Sequence, residues 1–518
     1  VTTDQEGSHR GLRANAIGLG GDVIVAVANV APSSAVAFTL ALLLTLTGLA
    51  SPLVVVIVGA LMLCVTLGYA AMNRWRPSAG APYVWVGEAT TPVAGIGTGL
   101  LSALGATLFN IGNITLAGAY LLFVVSPSTT FPKAVTWLIA AAIMAVLLWI
   151  SIRGLRPSVV VQTALIVIEY ASVISFVILA LIHEASHAGG ASLPSVSDFS
   201  FGSNIGGIHG LANAGVTCAV LYAGWEAVAV VGEESTKPRQ NPGRAMIGSV
   251  AFLLVWFTGL IMVFQGISSH KEVLAHGGDI LAYAGSLLAP GLAGRILPLA
   301  VLIAVIGTTQ LQMTESSRIL YAFARDRLLP NFLGKISEKH QTPWAALTVL
   351  GLIPPIFLIP YLASSSFFTV ITNIISSGGE LYLFMYFVVA VSSVWFFRSQ
   401  LTRSGRAMLF GGILPLIGGA LMLVLCIYGM TTEAGVVTGV AIGILVLTYG
   451  LAFVIVRMVK DSPFLEELQR RRAAGVSGQK RSPAGYPTRR EPPMRNGQVS
   501  SPGGGAGRGG GPRQPAHG

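Results

Sequence analysis

The chain reads as an all-α polytopic membrane protein of about twelve transmembrane helices. Three observations predict this. Only 10% of its 518 residues are charged and 53% are hydrophobic, whereas soluble chains carry about 25% charged residues. The apolar residues gather in runs of about 20, such as Leu53 to Ala71 and Val436 to Val456, each long enough to cross roughly 30 Å of hydrocarbon as a helix. Lysines and arginines fall in alternate loops between the apolar runs and in the last 60 or so residues, the mark of a fixed membrane topology.

Hydropathy over windows of about 19 residues places the spans near 16–46, 52–72, 92–125, 134–152, 158–182, 207–232, 245–265, 296–322, 343–361, 366–397, 408–429 and 435–459. The third and tenth are long enough to tilt strongly or to include an interfacial turn, and too short to hide two helices. The first apolar segment, from Ala16 to Leu46, is far longer than a signal-peptide core and has no convincing cleavage site after it, so it reads as a retained span. Three regions follow: a cytoplasmic N-terminal segment, 1–15; a transmembrane domain, 16–459; and a basic cytoplasmic tail, 460–518.

With the N-terminus inside, the inner loops receive Arg74, Arg76, Arg153, Arg156, Lys237, Arg239, Arg325, Arg327, Arg398 and Arg403, while the outer loops receive only Lys133, Lys271 and Arg295. Both termini are therefore expected in the cytoplasm of a bacterial cell, with the chain in its inner membrane. The net charge of +11 marks topology and implies no nucleic-acid partner. Cys64, Cys218 and Cys426 lie in separate spans, which speaks against a disulfide framework. After Lys460 the chain turns rich in Pro, Gly, Ser and Arg and is expected to be disordered.

Two spans are interrupted. In the first, Asn29-Val30-Ala31-Pro32-Ser33-Ser34 places a proline and small polar residues mid-helix, and in the sixth, Tyr222-Ala223-Gly224-Trp225-Glu226 places a glycine and an acid there. Five spans separate the two, as an inverted repeat of five plus five helices with discontinuous helices 1 and 6 requires. Amides at the start of a half-helix favour a carboxylate, and unwound carbonyls accept from an ammonium. The candidate binding residues are therefore Asn29, Ala31, Ser33, Ser34, Tyr222, Ala223 and Gly224, with the Ser33 and Ser34 amides expected to take a carboxylate. An amino acid zwitterion fits both requirements.

Asp22, Glu169, Glu226, Glu315 and Glu380 fall within spans, and each needs a partner, a cavity or a proton. Glu169 and Glu226 are the candidate ion-coupling residues. Asp22, near the inner end of its span, is expected to meet water or a loop arginine. Glu315 is expected to pair with Arg318 one helical turn on. Glu380 follows the flexible Ser376-Ser377-Gly378-Gly379 and can serve either as lining or as structure.

Three stretches resemble the amino acid-polyamine-organocation superfamily of permeases, a likeness that runs from about Leu12 to Val459. Pro77-Ser78-Ala79-Gly80-Ala81-Pro82-Tyr83 is similar to the family's P-x-A-G-G-x-Y segment, with Ala81 in place of the second glycine. Gly224-Trp225-Glu226, followed by Glu233-Glu234-Ser235-Thr236-Lys237-Pro238, is similar to its G-F-E stretch and paired acids. Ser317-Arg318-Ile319-Leu320-Tyr321-Ala322-Phe323-Ala324-Arg325-Asp326, leading to Leu329-Pro330, is the most specific. The resemblance implies secondary active transport of an amino acid or related amine by alternating access, with no cofactor. Several proton-coupled members carry a lysine midway along the fifth helix, where sodium-coupled relatives hold an ion, and Glu169 stands there in this chain. The implied coupling partner is a proton, with sodium-coupled symport, or exchange of polyamines or other organic cations, as the alternative.

A rival reading comes from His183-Glu184-Ala185-Ser186-His187, whose spacing on a helix suits zinc and a general base. It lies at the end of the fifth span, runs into Gly189-Gly190 and lacks a clear third ligand, so a metalloprotease is disfavoured, no metal site is assigned, and a wet loop is expected. Gly95-Ile96-Gly97-Thr98-Gly99 opens a span and follows no strand, so it reads as close helix packing.

Overall fold

The computed structural model describes residues 11–126, 131–187, 190–195, 199, 207–275, 280–289, 291, 295–362, 367–432, 435–459 and 461–473. All of these belong to one compact unit. Residues 1–10 of the expected N-terminal segment and 474–518 of the expected tail lie outside the described residues, as do Gly189 and Lys460.

The elements run α1 (Leu19–Val30), α2 (Pro32–Thr47), α3 (Ser51–Trp75), α4 (Pro82–Ala89), α5 (Pro92–Val125), α6 (Lys133–Ile152), α7 (Leu155–Ala185), α8 (Gly207–Leu221), α9 (Ala227–Val230) and α10 (Asn241–Gly266). They continue with α11 (His270–Ala275), α12 (Ile280–Leu288), α13 (Ile296–Arg325), α14 (Trp344–Leu358), α15 (Phe367–Leu401), α16 (Gly405–Met408), α17 (Leu414–Thr432), α18 (Gly435–Met458) and α19 (Pro463–Ala473). Among the described residues the β-structure amounts to one isolated bridge, Ile17 to Ser235. Among the described residues ten helical stretches are long and apolar enough to cross a membrane, and the shorter α8 and α14 occupy the places of the sixth and ninth spans. The fold is the all-α polytopic one, and its two discontinuous helices fall in the first and sixth spans.

Local chemistry explains the exceptions. α1 stops because Ala31 takes a left-handed conformation, φ 51 and ψ 63, and Pro32 then starts α2 at a position that needs no amide. α14 is short because Pro354 and Pro355 lie inside it, and it ends in a tighter turn, Ile359–Tyr361. The long third and tenth spans are the continuous helices α5 and α15, of 34 and 35 residues, without an interfacial turn. At about 1.5 Å per residue each exceeds the hydrocarbon thickness by some 20 Å.

α13 runs through the centre of the bundle: 83% of its apolar window is buried, against 22% for α18. It packs along α5 and also meets α1, α2, α7 and α14. The exposed apolar side chains of α7, α17 and α18, such as Val160, Ile178, Val424, Leu447 and Phe453, form a face suited to lipid. The glycine cluster at the start of α5 packs closely, since a Cβ on Gly97 would stand 2.6 Å from the Tyr449 ring and one on Gly99 2.4 Å from the Tyr83 Cβ.

The expected disorder from 460 onward is corrected for its first residues. α19 forms because Phe464, Leu465 and Leu468 share one face and are all buried. Phe464 lies against Tyr83 of α4, with ring centroids 4.6 Å apart, and Arg471 pairs with Glu88 at 3.2 Å.

Candidate functional site

The two helix breaks meet. The Asn29 side chain in the first donates from Nδ2 to the carbonyl of Gly224 in the second, at 2.8 Å. Gly224 has φ +118, and a Cβ there would stand 2.6 Å from the Asn29 carbonyl oxygen, so no other residue fits this contact. Glu226 closes the second break on itself: its Oε2 accepts from the Gly224 amide at 3.2 Å and from the Tyr386 hydroxyl at 2.6 Å. The Thr308 hydroxyl of α13 donates to the Ala28 carbonyl at 2.9 Å, a second bond to an oxygen that also accepts from the Ala31 amide at 3.1 Å.

The start of α2 is already occupied by an anion of the chain itself. Glu169 of α7 accepts from both the amide and the hydroxyl of Ser33, at 3.1 and 2.7 Å. An acid at a helix N-terminus is favoured by the unpaired amides and the helix dipole. The Ser33 amide is thus engaged by Glu169, which corrects the expectation that it takes a bound carboxylate. Ser34 is the next residue of the same helix end, and its hydroxyl donates back to the Ala31 carbonyl at 3.0 Å.

Between the breaks lies a cavity of about 80 Å³. Of the residues nominated from sequence, Asn29, Ala31, Ser34, Ala223 and Gly224 line it, while Ser33 and Tyr222 do not. Tyr222 points away, donating its hydroxyl to the Val55 carbonyl at 3.1 Å and packing edge-on against Phe257. Sequence reasoning missed much of the rest of the wall, above all Thr39 of α2, Phe109 and Asn113 of α5, Gln312 of α13, and Ile375 and Tyr382 of α15. A usable signal was present, because Asn113 and Gln312 are amides within membrane spans and call for a partner or a cavity.

The other acids depart from expectation. Glu315 does not pair with Arg318; it accepts from Asn29 Nδ2 at 3.4 Å and from the Ser102 hydroxyl at 3.2 Å. Arg318 instead turns its Nε to Glu234 at 3.0 Å, and both side chains are only 1% exposed. Asp22, expected to meet water or a loop arginine, is fully buried and, among the described residues, accepts from the Ser235 hydroxyl at 2.8 Å. Glu380 is buried in α15.

The arginine-bearing end of the bundle is tied by ion pairs. Arg325 holds Glu233 with both nitrogens of its fork, at 3.0 to 3.2 Å, and Glu233 also accepts from the Ala79 amide at 2.8 Å. The Tyr83 hydroxyl donates to Asp326, whose own carbonyl accepts from Ser462 at 2.7 Å. Burial raises the Asp326 carboxyl above its usual range, while Arg325 and the Tyr83 hydroxyl pull it back. Ala81, which stands where the resembled segment has glycine, bends the chain here at φ 22.

At the far end of α7, Glu184 is fully buried and His187 is exposed at φ 53. The string is thus the frayed end of a helix with one buried acid, in place of the expected wet loop. Among the described residues no group of three His, Cys, Asp or Glu side chains is placed to hold a metal.

Residues 20–459 match the family described as amino acid permease. The branched-chain amino acid permease BcaP of Lactococcus lactis is 24% identical over 404 residues, covering 73% of this chain and 81% of that protein. The human large neutral amino acids transporter small subunit 2 is also 24% identical, over 74% of this chain and 70% of its own. The mouse Asc-type amino acid transporter 1 matches at 24% over 55% of this chain and 53% of its own. With most of its length matched, a discontinuous helix in the first and sixth spans and a cavity where they meet, the chain belongs to the amino acid permease family of the amino acid-polyamine-organocation superfamily.

Proposed function

We propose that the chain carries a neutral α-amino acid across a bacterial inner membrane, coupled to a proton, with both termini in the cytoplasm. One observation carries this reading: the cavity between the two breaks presents helix-end backbone but, among the described residues, no Asp, Glu, Lys or Arg in its wall. A cationic side chain buried there would lack a counter-charge, which disfavours polyamines and other organic cations. The names of the relatives, which refer to branched-chain and large neutral amino acids, support the same class. Asn29 Oδ1 is buried without a partner among the described residues and offers an acceptor for the ammonium. The Ser34 amide, at the start of α2, offers a donor for the carboxylate.

Coupling follows from charge. Glu169 and the substrate carboxylate compete for one helix end, and two negative charges there repel. A proton on Glu169 removes the conflict, so proton and substrate bind best together. Glu226 holds the second break closed around Gly224 and is the further candidate for a proton.

The test is uptake by the purified protein in liposomes. Glu169→Gln keeps an acceptor for Ser33 but cannot ionise, so exchange of labelled amino acid should persist while accumulation driven by an inward proton gradient is lost. Retained proton-driven accumulation would falsify the assignment, and accumulation driven only by a sodium gradient would replace the proton with sodium.

A further inference from the structure

We infer that the wall of the cavity facing away from the breaks is a hydrogen-bonding subsite for a hydroxyl or amide at the end of the substrate's side chain. The inference rests on the amino-acid reading above. An amino acid held by its ammonium and carboxylate at the breaks must direct its side chain toward α5, α13 and α15. On that wall Asn113 donates from Nδ2 to Gln312 Oε1 at 3.3 Å. That bond uses one donor and one acceptor, leaving Asn113 Oδ1 and Gln312 Nε2 as a matched acceptor and donor with no partner among the described residues.

A second, separate group points the same way. Tyr382, 3% exposed, lines the cavity, and its hydroxyl has no partner among the described residues. Its ring packs edge-on against Phe109, 5.4 Å between centroids, and Phe109 lies one turn before Asn113 on the same face of α5. The hydroxyls of Thr39 and Thr308 are different, because both already donate to helix carbonyls, of Ala35 and Ala28. The unengaged polar groups are therefore gathered where a side chain would end. Buried donors and acceptors left open cost stability unless a ligand or water satisfies them, and a site built this way discriminates against an analogue that lacks the matching group.

Two isosteric pairs read the subsite: asparagine against leucine, and threonine against valine. Each is measured as competition for labelled uptake in liposomes containing the full chain. The wild type should bind the polar member of each pair more tightly. In the double variant Asn113→Leu with Gln312→Met, which replaces both amides by apolar groups of similar shape, the polar-over-apolar preference should fall by about tenfold, the worth of one hydrogen bond. A thermal unfolding transition in detergent close to that of the wild type would show that this variant folds. A variant that binds none of the four is replaced by Tyr382→Phe, which should lower the same preference by itself. A wild type that favours leucine and valine overturns the subsite, as does an unchanged preference in the variant. No competition by any of the four overturns the amino-acid reading, and the subsite with it.

Discussion

The acids around the helix breaks and the acids at the arginine-bearing end are the same residue types put to opposite uses. Around the breaks, Glu169, Glu226 and Glu315 are held by hydroxyls, backbone amides and the Asn29 side chain. At the other end, Glu88, Glu233 and Glu234 are held by Arg76, Arg325, Arg318 and Arg471. A carboxyl held by neutral donors can gain or lose a proton without stranding a guanidinium. A carboxylate paired with buried arginine cannot, because removing one partner leaves an uncompensated charge at a cost of about 3–5 kcal/mol. The first arrangement suits a place that must change state, and the second one that must hold.

The sharpest way to break this contrast is Arg318→Leu. With Glu234 left buried and unpaired, thermal unfolding in detergent should reveal a loss of about 3–5 kcal/mol, and adding Glu234→Leu should recover most of it. A single variant as stable as wild type would mean that the pair does not hold the end together. Next in size is Gly224→Ala. Its Cβ would collide with the Asn29 carbonyl at a positive φ, so transport should drop by about tenfold or more. Ala31→Gly, at the other break, only relieves a left-handed alanine and should shift stability by less than about 1 kcal/mol. Equal effects at the two breaks would show that their contact is not close. The smallest effect belongs to Arg325→Ala. That pair is partly exposed, 37% and 27% for its two side chains, and should cost under about 1 kcal/mol, less in high salt.

The spans were legible because apolar length is a local property of the chain, and the two breaks because proline and glycine announce themselves. What escaped the sequence was contact between distant elements. Local spacing paired Glu315 with Arg318, but α13 brings Arg318 to Glu234, 84 positions away. The amide of Ser33 looked open to a ligand until α7 delivered Glu169 across 136 positions. The cavity wall of α5, α13 and α15 was marked only by stray amides, whose convergence depends on helix rotation and crossing that no single span encodes.

The pair between Arg471 and Glu88 spans 383 positions, and this sets an order of assembly. The corner formed by Tyr83, Gly87 and Glu88 is synthesised early, yet the side chains that cover it, Phe464 and Arg471, follow every membrane span. Until α19 docks, Tyr83 and Gly87 lack the Phe464 ring that covers them, and transiently exposed apolar surface of this kind is prone to misassociation. Docking of α19 is thus the last step at this corner, and a chain interrupted before Pro463 lacks the Phe464 and Arg471 side chains that close it.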